Sequence, residues 1–147
     1  MPDAVSVFGL GLMGRPMAHT LAGKGFHVTG WNRSPLAAEL TRGIPMAASL
    51  EAAARSEICL LILADSDAVD AVLGQVQRQL RAGQIVLDMG TSDPARSKSR
   101  AARLAATGVG WVDAPVSGGP EGAATGSLAI MAGGTNDHFA RVKPVLD

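Results

Sequence analysis

The sequence is poor in cysteine and aromatic residues and carries no net charge. One of its 147 residues is a cysteine, Cys59, so no internal disulfide can form and a reducing compartment such as the cytoplasm is expected. Aromatic side chains make up only 3% of the chain, which implies an aliphatic core. A formal net charge of zero argues against a nucleic acid or an anionic membrane as the main partner, because both attract an excess of positive charge.

Long apolar runs are also missing. No segment approaches the roughly 18 apolar residues of a membrane span, and residues 1–11 lack the basic start and apolar stretch of a signal peptide. We therefore predict one globular domain over residues 1–147, with no membrane partner. Cys59 lies in the apolar run 58–63 and is expected to be a buried structural thiol.

Strand-like and helix-like patterns alternate along the chain. Strands are predicted at residues 4–8, 27–31, 58–63, 85–88, 111–113 and 128–131, with a weaker one near Met46. Helices are predicted from Met13 to Gly23, over 35–42, near Ser49, from Ser66 toward Gly83, from Pro94 to Gly108 and from Thr135 to the chain end. This alternation predicts an α/β fold of the Rossmann type, a doubly wound and mainly parallel sheet with helices on both faces.

Three further expectations concern the second half of the chain. The helix after Asp93 carries four basic residues, which we expect on a solvated outer face rather than on a nucleic-acid surface: Arg96, Lys98, Arg100 and Arg103. A glycine-rich loop is expected from Ala114 to Gly126. The chain ends inside a predicted helix, which suggests a fragment of a longer protein.

The motif G-x-G-x-x-G follows the first predicted strand and opens the first predicted helix. Gly9 permits a tight turn, Gly11 lets a pyrophosphate approach the backbone, and Gly14 lets the helix lie close to the strand. The amino terminus of the helix offers unpaired N–H groups and the positive end of its dipole. This context favours dinucleotide binding over a purely structural glycine turn.

The end of the second predicted strand indicates which dinucleotide is bound. NAD-preferring domains place a carboxylate there to accept a hydrogen bond from the ribose 2′-hydroxyl. Here the strand is followed by Asn32, Arg33 and Ser34, none of which is acidic. Arg33 offers a planar cation that matches a phosphate, so we predict NADP(H), with NAD(H) less favoured.

Three segments together resemble the β-hydroxyacid dehydrogenase family, which includes 3-hydroxyisobutyrate and 6-phosphogluconate dehydrogenases. They are GLGLMGRPMA from Gly9, WNRSP from Trp31, and DAPVSGGPEGAATGSLAIMAGG from Asp113 to Gly134. The resemblance covers essentially the whole chain. It implies the cofactor domain of an oxidoreductase that acts by hydride transfer on a small β-hydroxyacid, semialdehyde or glyoxylate-type carboxylate.

The resemblance also assigns site residues. Cofactor contacts would come from Gly9, Leu10, Gly11, Leu12, Met13 and Gly14, from Asn32, Arg33 and Ser34, from Leu63, Ala64 and Asp65, and from Thr91 near the nicotinamide. The substrate carboxylate would be held by Ser117, Gly118 and Gly119. Successive glycine-rich backbone amides can form such an anion-binding nest.

One departure from the family concerns the catalytic acid/base, a lysine on a later helix. The three lysines here, Lys24, Lys98 and Lys143, do not match its context, so we expect no catalytic residue in this chain. The helical domain that carries the lysine in the family, and that makes its dimer, would lie beyond residue 147. The chain alone should bind cofactor yet turn over poorly.

Two alternatives stay open at this stage. An imine reductase would have a similar nucleotide domain and a different proton donor on the later helix. A non-catalytic nucleotide-binding or assembly module would not need the substrate loop. Asp88 and Asp113 end strands at the ligand-facing edge, where structural hydrogen bonding is favoured over contact with the ligand. The histidines are expected to be exposed or capping rather than catalytic: His19, His27 and His138.

Overall fold

The computed structural model describes residues 4–90, 93–117, 119–126, 129–130 and 136–146. Its strands are Ala4–Phe8 (β1), His27–Trp31 (β2), Ile58–Leu61 (β3), Ile85–Asp88 (β4), Gly110–Asp113 (β5), Val116–Ser117 (β6) and Ala129–Ile130 (β7). Its helices are Gly14–Gly23 (α1), Leu50–Ala53 (α2), Ser66–Val76 (α3), Pro94–Ala105 (α4), Gly119–Thr125 (α5) and Asn136–Leu146 (α6).

Five strands form one parallel sheet in the order β2-β1-β3-β4-β5, and β6 pairs with β7 in a separate antiparallel ladder. The last residues of the five parallel strands lie in register: Phe8, Trp31, Leu61, Asp88 and Asp113. The loops that follow these strands therefore leave from one edge. The strand order reverses beside β1, and ligands of open α/β sheets bind in the crevice at such a point.

The sheet is covered on both faces, as the sequence predicts. Alternate residues of β3 show this directly. Ile58 and Leu60 enter one core cluster with α1, α5 and α6, whereas Cys59 and Leu61 enter the other with α2, α3 and α4. The doubly wound Rossmann-type fold is confirmed.

Cys59 is a buried free thiol, as expected. Its Sγ lies 3.8 Å from the Ala54 carbonyl, to which it donates a weak hydrogen bond. Burial raises the pKa of the Cys59 thiol to about 12. The reactive thiolate is therefore almost absent at neutral pH, and the residue behaves as a small core side chain.

Two predicted local structures are wrong. Residues 35–42 form turns rather than a helix, closed by bonds such as Leu40 N–H to the Ala37 carbonyl at 2.9 Å. Apart from Leu36, which packs against the core, most of these residues are exposed, so little tertiary packing stabilises a helix that is too short to persist by itself. The expected loop 114–126 instead contains β6 and α5. Ala123 of α5 is buried, and its carbonyl accepts a 2.5 Å hydrogen bond from Thr20 Oγ1 of α1.

Several element boundaries differ from the predicted ones, among them those of β3 and α3. β3 ends at Leu61 rather than at residue 63, and α3 ends at Val76, well before Gly83. Leu80, four residues beyond the end of α3, is nevertheless buried. Of the predicted strand 128–131, the residues Leu128 and Met131 lie outside the described ranges.

Arg100 contradicts the expected solvated face of α4. Its side chain is 1% exposed, whereas those of Arg96 and Arg103 are 44% and 52% exposed. Arg100 packs with its guanidinium carbon 5.8 Å from the centre of the Trp111 ring and pairs with Asp70. Charged residues thus do not by themselves identify the exposed face of a helix, because an arginine with an ion-pair partner can be buried.

Within the described ranges, no helix is both long enough and apolar enough to cross a bilayer. The same ranges contain no group of three or more histidine, cysteine, aspartate or glutamate side chains arranged to hold a metal ion.

Candidate dinucleotide site

The turn between β1 and α1 needs two of its glycines for its own packing. Gly9 has φ +102°, a region that favours glycine, and its N–H donates to the Trp31 carbonyl at 2.8 Å. A Cβ on Gly9 would lie 2.4 Å from the Ile62 carbonyl oxygen. A Cβ on Gly14 would lie 1.7 Å from the Gly9 carbonyl oxygen. Both positions therefore exclude any side chain.

Gly11 differs from the other two glycines. A Cβ there would meet no atom within 4 Å, and the residue is exposed. The hydrogen bonds of α1 begin with Arg15 N–H, which donates to the Gly11 carbonyl at 3.2 Å, and the amides before it belong to the orphan donors of a helix start. Open space, orphan amides and the positive helix end fit a phosphate group.

Asn32 links the loop after β2 to this turn. Its Oδ1 accepts a hydrogen bond from the Leu10 N–H at 2.9 Å, and its Nδ2 donates to the Ser34 carbonyl at 2.8 Å. The Leu10 side chain is fully buried in the core. Asn32 and Leu10 thus hold each other in place within the protein, in addition to any contact with a ligand. The sequence signal for this contact was an asparagine directly after a strand, a residue type that often forms hydrogen bonds to nearby backbone.

Arg33 and Ser34 are exposed beside the same turn. Within the described part of the chain, the Arg33 side chain has no ion pair and no hydrogen bond. No carboxylate stands at residues 31–34. An exposed cation with no carboxylate among the adjoining residues suits a phosphate ligand.

The loops after β3 and β4 pack against each other. A Cβ on Gly90 would lie 3.0 Å from the Leu63 carbonyl oxygen. Leu63 is half-buried, whereas Ala64 is exposed. Asp65 is the N-cap of α3, and its Oδ1 accepts the Ala68 N–H at 2.8 Å. Thr91, expected near the nicotinamide, lies outside the described residues.

Two carboxylates end neighbouring strands at this edge. Asp88 is fully buried, and its Oδ1 accepts the Gly90 N–H at 3.1 Å, in agreement with the expected structural role. Asp113 Oδ1 is buried without a hydrogen-bond partner among the described residues. Burial raises the pKa of Asp113, the nearby Asp88 raises it further, and Arg100 acts in the opposite direction. Asp113 is thus less well paired than Asp88.

The predicted substrate segment begins four residues after β5 ends. Ser117 pairs with Ala129 in the short ladder, and Gly119 opens α5 with φ +66°. Gly118 and the Ser117 side chain lie outside what the structure describes. Of the histidines, His27 is exposed and begins β2 at the opposite edge of the sheet, and His19 is also exposed.

Comparisons with known proteins agree with this geometry. The model of the family described as the NAD binding domain of 6-phosphogluconate dehydrogenase matches residues 4–147. The 2-hydroxy-3-oxopropionate reductase of Escherichia coli K12 is 34% identical over 145 residues, which cover 95% of this chain and 49% of that protein. The chain spans about half the length of the curated relatives it matches.

Solved structures share the same fold. The 3-hydroxyisobutyrate dehydrogenase of Mycobacterium tuberculosis with L-serine superposes with a TM-score of 0.92 at 32% identity, covering 99% of this chain and 51% of that one. An imine reductase variant from Myxococcus stipitatus in complex with NAD+ has a TM-score of 0.88 at 23% identity, with the same two coverages, and shows the fold alone. The chain belongs to the family of the NAD binding domain of 6-phosphogluconate dehydrogenase, whose named relatives are hydroxyacid oxidoreductases.

Proposed function

We propose that this chain is the cofactor-binding part of an NADP(H)-dependent oxidoreductase that acts on a small β-hydroxyacid, semialdehyde or glyoxylate-type carboxylate. The observation that carries the proposal is the open space at Gly11, above the start of α1, with the exposed Arg33 beside it. The names of the relatives support the substrate class, since they include a 2-hydroxy-3-oxopropionate reductase and 3-hydroxyisobutyrate dehydrogenases.

In this proposal each loop of the edge has one task. The first amides of α1 bind the pyrophosphate, and Arg33 and Ser34 bind the 2′-phosphate. The loop of Leu63, Ala64 and Asp65 after β3 contacts the cofactor, and Thr91 after β4 lies near the nicotinamide. Ser117, Gly118 and Gly119 bind the substrate carboxylate. The bound cofactor supplies or accepts the hydride, while the chain holds it against the substrate.

We expect Arg33→Ala to weaken NADPH binding by roughly tenfold to a hundredfold, because one charge-assisted hydrogen bond contributes about 1.5–3 kcal/mol. NADH affinity should not change, since NADH lacks the 2′-phosphate. Fluorescence titration of both nucleotides measures the two affinities. Arg55→Ala is the matched control, because Arg55 is exposed and precedes β3 at the opposite edge. Equal NADPH affinity of wild type and Arg33→Ala would refute the preference for NADP(H).

Reduction of a carbonyl also needs a proton donor at the developing alkoxide. Lys24 follows α1, Lys98 lies on α4 and Lys143 on α6, and none of these three follows the carboxyl end of a sheet strand. We propose that the donor is a lysine beyond residue 147, on a helical domain that also makes a homo-oligomer.

The single buried cysteine supports a cytoplasmic location.

The 147-residue chain is therefore expected to bind NADPH but not to oxidise it measurably with glyoxylate or succinic semialdehyde. Absorbance of NADPH over time, with saturating substrate, measures this. The control is a longer parent protein, which should turn over. Steady turnover by the chain itself would show that a proton donor lies within it. A parent that binds NADPH but reduces neither substrate would favour an imine reductase or a non-catalytic module.

A further inference from the structure

Arg100 is a fully buried cation on α4 whose contacts reach the start of α3. Its Nε donates to Asp70 Oδ1 at 2.8 Å, and its Nη2 donates to the Ser66 carbonyl at 3.0 Å. The guanidinium also lies over the Trp111 ring of β5. One side chain thus connects two helices and the sheet.

The Ser66 contact places Arg100 next to the candidate site. Ser66 is the first residue of α3 and directly follows the loop of Leu63, Ala64 and Asp65. A second bond supports the same point, since Ser66 Oγ accepts the Asp93 N–H at 3.0 Å. The first turn of α3 is therefore held through a backbone carbonyl, by Arg100 of α4, and through a hydroxyl, by the N-cap of α4.

Burial of an arginine side chain only to fill space in the core is energetically unfavourable. Taking a charge out of water is unfavourable, and an apolar side chain of similar volume often stabilises a core as well or better. An apolar side chain cannot, however, bond a carboxylate and a carbonyl at the same time. The forked guanidinium does so in one fixed geometry. Arg100 is thus better suited to fixing a position than to filling the core.

From these contacts we infer that Arg100 is a positioning residue for the Leu63–Asp65 loop, and through it for the bound cofactor. This rests on the proposed function, because the loop is assigned to the cofactor there. Arg100 itself does not touch the ligand. It holds the carbonyl of Ser66, so that the preceding loop keeps the conformation in which it meets the cofactor.

The test compares Arg100→Met, Arg100→Lys and the control Arg103→Met. Arg103 lies on the same helix and 4.0 Å from the same Asp70 carboxylate, but its side chain is half exposed and it has no described bond to Ser66. At a temperature where every variant is folded, Arg100→Met should weaken NADPH binding about tenfold. Arg100→Lys should recover part of the loss, to about threefold, because it keeps the charge without the fork. Arg103→Met should bind like wild type.

Hydrogen exchange of residues 62–68 without cofactor gives an independent readout, and Arg100→Met should speed it selectively. If Arg100→Met does not fold, Asp70→Asn takes its place, with an expected decrease in affinity of about threefold, because Asp70 is half exposed. Unchanged affinity and unchanged exchange at 62–68 in a folded variant would overturn the inference. If wild type binds no NADPH while exchange still responds, the positioning by Arg100 stands and the proposed function fails.

Discussion

Gly14→Ala is expected to destabilise the fold by at least about 3 kcal/mol and to remove nucleotide binding with it, because overpacking of a tight core costs about 1–3 kcal/mol and more where backbone must move. The new Cβ would lie 1.7 Å from the Gly9 carbonyl oxygen and 3.1 Å from Ile62 Cγ2. The first contact is with backbone. The backbone of Gly9 cannot move away, because its N–H donates to the Trp31 carbonyl and the position that a Cβ would take on it lies close to the Ile62 carbonyl.

Urea denaturation followed by circular dichroism measures this destabilisation. A domain of this size is stable by only about 5–15 kcal/mol, so the shift of the midpoint should be large. Gly23→Ala is the matched control at the other end of α1, where a Cβ meets nothing within 4 Å. The Gly23→Ala protein should be as stable as wild type or more stable by up to about 1 kcal/mol. A Gly14→Ala protein that unfolds at the wild-type midpoint would contradict the close approach of α1 to the turn.

Gly11→Val is expected to have the opposite profile, with normal stability and nucleotide binding weakened about a hundredfold. No atom of the chain stands within 4 Å of the new Cβ, and the backbone there does not require glycine, so the fold should accept the side chain. The added carbons would occupy the space through which a pyrophosphate reaches the amides of α1. Each charge-assisted hydrogen bond that the pyrophosphate can no longer form with these amides contributes about 1.5–3 kcal/mol, or roughly one to two decades in affinity.

Titration of NADPH and NADH against Gly11→Ala and Gly11→Val measures the effect, which should grow with side-chain size. Both nucleotides should bind more weakly by the same factor, since both carry the pyrophosphate. This separates the turn from Arg33, whose removal should affect NADPH alone. Wild-type affinity in a folded Gly11→Val protein would show that the turn binds no phosphate, and the proposed function would then be wrong.

The strands and the helix starts were the most predictable part of the fold. β1, β2 and β4 have the predicted bounds, and Ser49, Asp65 and Asp93 are N-caps whose side chains accept backbone N–H groups. Such signals are local, because an apolar run or a capping residue acts within a short stretch of the chain. The turns at residues 35–42 and the helix α5 were missed, since their conformation depends on what packs against them.

The candidate site divides in the same way. The G-x-G-x-x-G turn was recognisable from residue types alone, and the structure adds which glycines the protein needs for itself, Gly9 and Gly14, and which one keeps space open, Gly11. The bond from the Leu10 N–H to Asn32 joins residues 22 positions apart. No local sequence pattern shows from which distant backbone amide a side chain will accept a hydrogen bond.

Residue types within short spans were enough to establish the alternation of strands and helices, the glycine turn and the lack of a carboxylate beside Arg33. Two features required the packed molecule: the strand ends share one edge, and Arg100 is buried rather than solvated. The reason is that burial of a charge depends on its partners, and Asp70 and Ser66 lie 30 and 34 residues from Arg100. These groups meet only because α4 packs beside α3 and against β5.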